Sequence, residues 1–174
     1  MLHVCSLAAL PDTVRATRAS HVLTVMANVD QVLRPESVLP ANHLKVSMDD
    51  ITEHMDGFTA PCEAHVEKVL AFVRGWDRAA PMVVHCYAGI SRSTASAFAA
   101  ACLLNPQKDE AAIARAIRAS SAIAQPNRLI VTLADKLLGR EGRMGLGIVL
   151  VAIGWFYQRI LFRKAPPPAP VAGE

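Results

Sequence analysis

The sequence predicts an α/β domain with a small central sheet of about four or five strands flanked by helices. Short runs rich in Val and Leu, bounded by Pro, Asn or Asp, predict buried strands, and the longer segments between them carry apolar residues at helical spacing. Strands dominate the first half of the chain and helices the second. With 174 residues, of which 52% are hydrophobic, the chain can bury one core without the help of disulfides.

The elements are predicted in a fixed order along the chain. The strands are His3 to Leu7, Val22 to Met26, Leu44 to Val46 and Met82 to Val84. The helices are Thr13 to Ala19, a helix from about Thr59 to Gly75, Thr94 to Leu104, Glu110 to Ala119 and Arg128 to Leu138. Thr59 offers an N-cap hydroxyl ahead of a proline and the carboxylate of Glu63, and Gly139 closes the last helix.

Charge and cysteine content exclude several function classes. Residues 140–174 hold five basic and two acidic residues, which leaves 13 of each sign in residues 1–139. Because this main body is neutral and poor in aromatic residues, no nucleic-acid partner is expected. The cysteines at positions 5, 62, 86 and 102 lack the spacing of zinc ligands, and the first ten residues lack a secretory leader. We therefore expect a cytoplasmic protein with free thiols and no bound metal.

The C-terminal part of the chain differs from residues 1–139, which we predict to be the catalytic domain. Residues 140–164 are an apolar, basic-flanked helix and a candidate membrane anchor, and the proline-rich residues 165–174 are predicted to be unstructured. Residues 144–162 would form a helix of about 28 Å, which barely spans a bilayer. Positive charge at both ends leaves the orientation open, so this helix could span the membrane, lie in its plane or pack onto the core.

Residues 81–94, PMVVHCYAGISRST, place a cysteine between an apolar strand and a helix. When such a loop turns into a helix, the backbone N–H groups of residues 87–92 can converge on one anion, and phosphate fits this cradle. The same positive field lowers the pKa of a thiol at Cys86. Arg92 adds a planar fork that can grip two phosphate oxygens, and Gly89 lets the backbone approach the ligand closely.

The pattern His85-Cys86-x5-Arg92-Ser93 resembles the signature of the cysteine-dependent protein tyrosine phosphatases. The amino-acid sequence of the loop is most similar to that of the compact dual-specificity branch. The resemblance implies a phosphatase-like fold with the phosphate loop between a strand and a helix. It implies that Cys86 is a nucleophile that forms a phosphocysteine, that Arg92 clamps the phosphate, and that Ser93 hydrogen-bonds the thiolate. His85 would support the loop from behind. The loop residues that would surround the phosphate with Arg92 are Tyr87, Ala88, Gly89, Ile90 and Ser91.

The family takes a general acid from a loop upstream of the cysteine, and two aspartates here are candidates. Asp49 and Asp50 follow the predicted strand that ends at Val46. Counting from Val46 as in the compact branch favours Asp50, with Asp49 as the alternative, and either could instead cap a turn. His54 and Asp56 match no family position and are expected in a solvated loop. Asn127 is expected to cap a helix below the phosphate loop.

The resemblance therefore implies a phosphomonoester hydrolase with no cofactor. The loop carries no lysine and no second arginine, which favours phosphorylated protein or a small phosphomonoester over a polyphosphoinositide. The apolar segment near the C-terminus keeps a membrane-associated lipid-phosphate phosphatase open. Two further alternatives are a sulfurtransferase, which lacks the Arg92-Ser93 ending, and a catalytically silent phosphate-binding module. The sequence leaves the oligomeric state open.

Overall fold

A computed structural model describes residues 1–161 of the chain, with side chains as far as residue 152. Four parallel strands form one sheet in the order β1-β4-β2-β3. The strands are β1 (Leu2–Ser6), β2 (His21–Val25), β3 (His43–Val46) and β4 (Met82–Cys86). The helices are α1 (Leu10–Thr17), α2 (Glu63–Gly75), α3 (Arg92–Leu104), α4 (Glu110–Ser120), α5 (Arg128–Leu137) and α6 (Arg143–Leu161). The predicted α/β class is confirmed, with four strands in the sheet.

Strand β4 lies inside the sheet, between β1 and β2, and every one of its residues is buried. Its register places Cys86 beside Ser6 of β1 and His85 beside Thr24 of β2. Because the strands are parallel, their carboxyl ends share one edge, where ligands bind in open α/β sheets. Cys86 ends β4 at this edge, and α3 begins six residues later.

Two predicted helix starts are wrong. Helix α1 begins at Leu10 rather than Thr13, because Pro11 occupies the first turn, where a missing N–H costs nothing. Helix α2 begins at Glu63, and its N-cap residue is Cys62, whose side chain makes no capping hydrogen bond. Thr59 lies outside the helix and pairs with Asp49: its N–H donates to Asp49 Oδ2 at 2.8 Å, and its carbonyl accepts from the Asp49 N–H at 2.8 Å.

Helix α6 is fixed to the rest of the domain at its first turns. The carboxylate of Asp135 accepts hydrogen bonds from the N–H groups of Gly142 and Met144, at 2.6 and 2.8 Å. A side chain at Gly147 would lie 3.1 Å from the backbone of Ala111, so α6 packs tightly against α4 here. Met144 is fully buried.

A buried ion pair joins α4 to the segment before α6. Arg140 Nη1 lies 2.8 Å from Glu110 Oε1, and its Nη2 donates to the Cys102 carbonyl at 2.7 Å.

Among the described residues, no helix combines the length and apolar character needed to cross a bilayer. Residues 162–164 of the predicted C-terminal helix and the predicted tail at residues 165–174 lie outside the described residues.

Candidate active site

Cys86 stands at the centre of the site, with its sulfur held by donors from the loop and from α3. Its Sγ lies 3.1 Å from Ser93 Oγ, and the Gly89 N–H donates to it at 3.2 Å. Burial alone would raise the pKa of the Cys86 thiol, but hydrogen bonds from the Ser93 hydroxyl and from the N–H groups of Ser93, Gly89 and Ile90 outweigh burial. The pKa of Cys86 is therefore below its ordinary value. This favours the thiolate, the nucleophilic form.

Gly89 shapes the loop between Cys86 and Arg92. Its φ is +75°, a conformation that L side chains rarely adopt. A Cβ at this position would lie 2.7 Å from the Cys5 carbonyl carbon and 2.8 Å from the Ser6 nitrogen. The sequence predicted that glycine is needed for close approach to a ligand, whereas the atoms that a side chain would meet belong to β1. The loop therefore rests directly on the neighbouring strand.

Backbone hydrogen bonds tie the second half of the loop to the segment before α5. The Gln125 N–H donates to the Ile90 carbonyl at 2.9 Å, and the Asn127 N–H donates to the Ser91 carbonyl at 3.3 Å. These contacts hold the carbonyls on the outside of the turn. The N–H groups of Gly89, Ile90 and Ser93 face Cys86 Sγ, and N–H groups that converge in this way at the start of a helix can bind an anion.

Arg92 begins α3 and is almost completely buried. One end of its guanidinium is fixed, because Nη1 donates to the Met48 carbonyl at 2.8 Å. Its buried Nε has no hydrogen-bond partner among the described residues and lies 3.8 Å from Asp50 Oδ2. A buried, unsatisfied cationic N–H is costly unless a ligand completes it, so Nε is placed to bind an anion in the cradle.

The two candidate acids occupy different surroundings. Asp49 bonds the backbone of Thr59 and closes its own loop. Asp50 reaches the phosphate loop instead: its Oδ1 accepts from Ser91 Oγ at 2.7 Å and from Asn127 Nδ2 at 2.8 Å. With Oδ1 held by two donors, Oδ2 is the oxygen turned toward Arg92.

A chain of hydrogen-bonded polar side chains lies behind the loop, in which Thr24 and His85 are fully buried and His43 is half-buried. His85 is fully buried, and its Nε2 is 2.7 Å from Thr24 Oγ1 on β2. The same hydroxyl is 2.8 Å from His43 Nε2 on β3, and His85 Nδ1 is 3.4 Å from the Cys86 carbonyl oxygen. Burial lowers the pKa of His85, and burial together with nearby positive charge lowers the pKa of His43 to about 4.

The cradle opens into a cleft of about 1040 Å³. Cys86, Arg92 and Asp50 line this cleft. Its lining also includes Arg118, Arg128 and three apolar residues of α6, Ile148, Val149 and Ala152. A phosphate group fills only a small part of this space, so the rest is available to the group that carries the phosphate.

The structure brings the predicted residues Cys86, Arg92, Ser93, Asp50 and the loop together, and it keeps other candidates apart from them. His54 and Asp56 are exposed and contact each other. Cys102 is fully buried, and burial raises the pKa of its thiol to about 12. The described residues contain no group of three His, Cys, Asp or Glu side chains placed to hold a metal ion.

Sequence reasoning missed several members of the site. It assigned Asn127 as a cap, which it is, since its Oδ1 accepts from the Ile130 N–H at 3.1 Å. It did not foresee that the other end of this amide holds Asp50. Thr24 and His43 belong to no sequence motif, because the residues that they contact lie on other strands and are distant in sequence. The apolar run in α6 was noted, but nothing local indicated that it borders the cleft.

No protein-family model and no curated protein matches the chain. Solved structures do. Human DUSP28 is 19% identical with a TM-score of 0.59, over 78% of this chain and 86% of that one. The chain has the fold of the dual-specificity phosphatases. The Yvh1 phosphatase domain from Chaetomium thermophilum is 21% identical with a TM-score of 0.61, over 82% of this chain and 93% of that one.

A third neighbour with this fold is PTPMT1, solved in complex with PI(5)P. It is 15% identical with a TM-score of 0.58, over 79% of this chain and 88% of that one. At identities this low, the comparisons establish the architecture. What the site does follows from its own geometry.

Proposed function

We propose that this protein is a cysteine-dependent phosphomonoester hydrolase of the protein tyrosine and dual-specificity phosphatase class. One observation carries the proposal: a thiol with a lowered pKa accepts hydrogen bonds from loop N–H groups and lies in the same site as Arg92 Nε, which makes no hydrogen bond among the described residues. A nucleophile, an anion cradle and a planar cation at one point are the requirements of phosphoryl transfer to sulfur. The dual-specificity phosphatase fold supports the same conclusion.

The first step forms a phosphocysteine. The phosphate binds the N–H groups of residues 87–92 and Arg92, and the Cys86 thiolate attacks phosphorus. The bond from phosphorus to the leaving oxygen breaks, and that oxygen takes a proton from Asp50. Because Oδ1 of Asp50 accepts from Ser91 and Asn127, Oδ2 carries the transferred proton.

The second step hydrolyses the phosphocysteine. Asp50, now ionised, takes a proton from water as the water oxygen attacks phosphorus, and the bond from phosphorus to sulfur breaks. Ser93 Oγ, 3.1 Å from Cys86 Sγ, donates to the departing thiolate. The N–H groups of the loop and Arg92 stabilise the charge on phosphate in both steps. This sequence of bonds needs no metal.

The preferred substrates are phosphorylated proteins. The described loop offers one cation to the phosphate, Arg92, and the side chains at its other positions are Tyr87, Ala88, Gly89, Ile90 and Ser91. A headgroup with several phosphates requires further cations at the base of the site. A phosphotyrosine, phosphoserine or phosphothreonine side chain carries one phosphate, which this loop can hold.

A second candidate is a lipid phosphate, and the wall of the cleft favours it. Ile148, Val149 and Ala152 place hydrocarbon beside the cradle, while Arg118 and Arg128 place cations at the sides. An amphiphilic phosphomonoester presents both kinds of surface. The neighbour PTPMT1, whose structure contains PI(5)P, supports this candidate.

We further propose a cytoplasmic protein whose α6 rests on a membrane, with residues 1–139 as the catalytic domain. The outward side of α6 is apolar: Leu146 is 58%, Val149 45% and Leu150 51% exposed. Exposed apolar residues next to one another mark contact surfaces. The surplus of basic residues beyond position 139 would favour an anionic lipid surface.

Turnover that depends on Cys86 tests the proposed activity. We expect the full-length protein to hydrolyse an aryl phosphate in chelator and reductant, and Cys86→Ser to lose that activity, because serine supplies neither the thiolate nor its leaving ability. The matched control is Cys62→Ser, which removes an exposed thiol and should leave the rate unchanged. Full activity in Cys86→Ser would show that Cys86 is not the nucleophile. Tight binding of a phosphopeptide without turnover in the wild type would favour a catalytically silent binding module.

A further inference from the structure

The polar chain behind the phosphate loop crosses three neighbouring strands. It runs from the Cys86 carbonyl to His85 on β4, then to Thr24 on β2 and His43 on β3. Thr24 and His85 stand opposite each other in the register of the sheet, and both are fully buried. No part of the proposed chemistry uses Thr24 or His43. A fully buried, hydrogen-bonded pair such as Thr24 and His85 permits few arrangements, so it can hold the adjoining loop in one geometry.

The positions of the protons follow from the partners. A carbonyl oxygen accepts and cannot donate, so the hydrogen bond to the Cys86 carbonyl requires a proton on His85 Nδ1. Burial keeps His85 neutral, and its Nε2 must then be an acceptor. The Thr24 hydroxyl donates its single proton to Nε2, and its oxygen accepts from the N–H at His43 Nε2.

We infer that Thr24 and His43 are positioning residues that hold His85 in its Nδ1–H tautomer and, through it, hold the Cys86 peptide in the orientation that forms the cradle. Without the Thr24 hydroxyl, only the long 3.4 Å contact to the Cys86 carbonyl selects this tautomer over the other. In the other tautomer, the lone pair of Nδ1 would face the Cys86 carbonyl and repel it. The Cys86 peptide would rotate, and the N–H groups of the loop would no longer point at Cys86 Sγ.

His43 acts one step further back. Its Nε2–H occupies the oxygen of Thr24 and keeps the hydroxyl proton turned toward His85. The ionisable neighbours of His43 are Lys45, Arg34 and His85. His43 Nε2 carries a proton in both charge states of the ring when it donates to Thr24, so this bond is kept across the pH range in which the enzyme would work.

The test measures the tautomer and the thiol directly, in full-length protein. Nitrogen-15 NMR of the imidazoles reports which nitrogen of His85 carries the proton, and the pH dependence of alkylation of Cys86 by iodoacetamide, followed by mass spectrometry of its peptide, reports the thiolate. Thr24→Val keeps the shape of the side chain and removes the hydroxyl. We expect it to mix the two tautomers of His85 and to raise the alkylation midpoint of Cys86 by about one pH unit.

Matched variants separate positioning from packing. Thr24→Ser restores the hydroxyl and should return both readouts to the wild-type values. His43→Leu should shift them in the same direction as Thr24→Val but less, and His43→Gln, which returns an N–H at similar reach, should recover them. Thr17→Val removes a threonine hydroxyl that bonds only its own helix, at the Thr13 carbonyl, and should change neither readout.

Because the role in catalysis rests on the proposed function, turnover is measured separately. Where the enzyme is active, Thr24→Val should lower kcat about tenfold with little change in KM, because N–H groups that no longer converge on the site stabilise the transition state less. A wild-type protein with a low alkylation midpoint but no turnover would overturn the activity and leave the positioning role standing. If Thr24→Val and His43→Leu both fold and leave the His85 tautomer and the midpoint unchanged, the positioning role is wrong.

Discussion

The residues behind the phosphate loop, which we call its rear, are polar and buried, whereas those of α6 in front of it are apolar and exposed. Behind the loop, His85, Thr24 and the sheet form a fully buried, hydrogen-bonded polar chain. In front of it, α6 forms an exposed wall of hydrocarbon. A buried hydrogen-bonded chain permits one arrangement, because any break leaves a polar group unsatisfied. An apolar surface accepts many shapes, so under the proposed function we expect the rear to fix the geometry of the reaction and the front to select the substrate.

The largest expected effect concerns the acid beside the loop. Asp50→Asn should lower kcat by about 10²–10⁴-fold, because the amide cannot give its proton to the leaving oxygen. Asp49→Asn should have little effect on kcat, since Asp49 is occupied with the backbone of Thr59. Steady-state hydrolysis of an aryl phosphate by the two variants measures both. The opposite pattern would transfer the acid role to Asp49 and detach Asp50 from the chemistry.

A second prediction tests how rigidly the loop rests on β1. Gly89→Ala should destabilise the protein by about 3 kcal/mol or more, since it adds a clash with the Cys5 carbonyl to the cost of a positive φ. Gly142→Ala is the matched control, because its φ is +84° and nothing lies within 4 Å of the added atom. It should cost about 1–2 kcal/mol, the price of the backbone conformation alone.

Urea unfolding of the two glycine variants provides the comparison. The difference between their free energies of unfolding isolates the steric contact between the loop and β1. Equal losses in the two variants would mean that the loop can move away from β1, and the contrast between a rigid rear and an adaptable front would fail.

The smallest expected effect tests the front. Val149→Ser should raise the KM for a phosphomonoester with an acyl chain about fivefold, the loss expected from removing about 1 kcal/mol of apolar contact. The KM for a phosphotyrosine peptide should change less. Leu33→Ser, which alters an exposed leucine away from α6, is the control and should change neither value.

Binding to lipid vesicles tests whether the exposed apolar residues of α6 contact a membrane. Sedimentation with vesicles that contain an anionic lipid should be weaker for Val149→Ser than for the wild type, and unchanged for Leu33→Ser. If the acyl and peptide substrates respond equally and vesicle binding is unaltered, α6 contributes to neither substrate choice nor membrane contact, and the preference for phosphorylated proteins stands alone.

The phosphate loop was predictable from sequence because its residues are neighbours in the chain. Cys86 to Ser93 form one short stretch, so their spacing predicts a loop before it is seen. Asp50 could be chosen over Asp49 only by counting from a strand end. Thr24 lies 61 residues from His85 and 19 from His43, so no local pattern links them.

The predicted roles of Thr59 and Gly89 were wrong because each residue makes a contact with a residue distant in sequence. Thr59 has the residue type and the following proline of a helix cap, but its backbone bonds Asp49 and lies before the first turn of α2. Gly89 was expected to make room for a ligand, and the structure uses that room for β1. Local preference says what a residue is able to do, and contacts distant in sequence decide which of its options is used.

The place of β4 in the sheet has a consequence for how the loop after Cys86 is formed. Within residues 1–161, β1 pairs with β4 alone, and β4 is the last of the four strands to be synthesised. The first strand therefore waits for residues 82–86 before it gains a neighbour, and this single insertion joins β1 to β2. Cys86 is the final residue of the inserted strand. The same strand pairing therefore gives β1 its neighbour and places Cys86 beside Ser6, so a chain that has not paired β4 with β1 lacks the contact between Gly89 and β1 that fixes the loop.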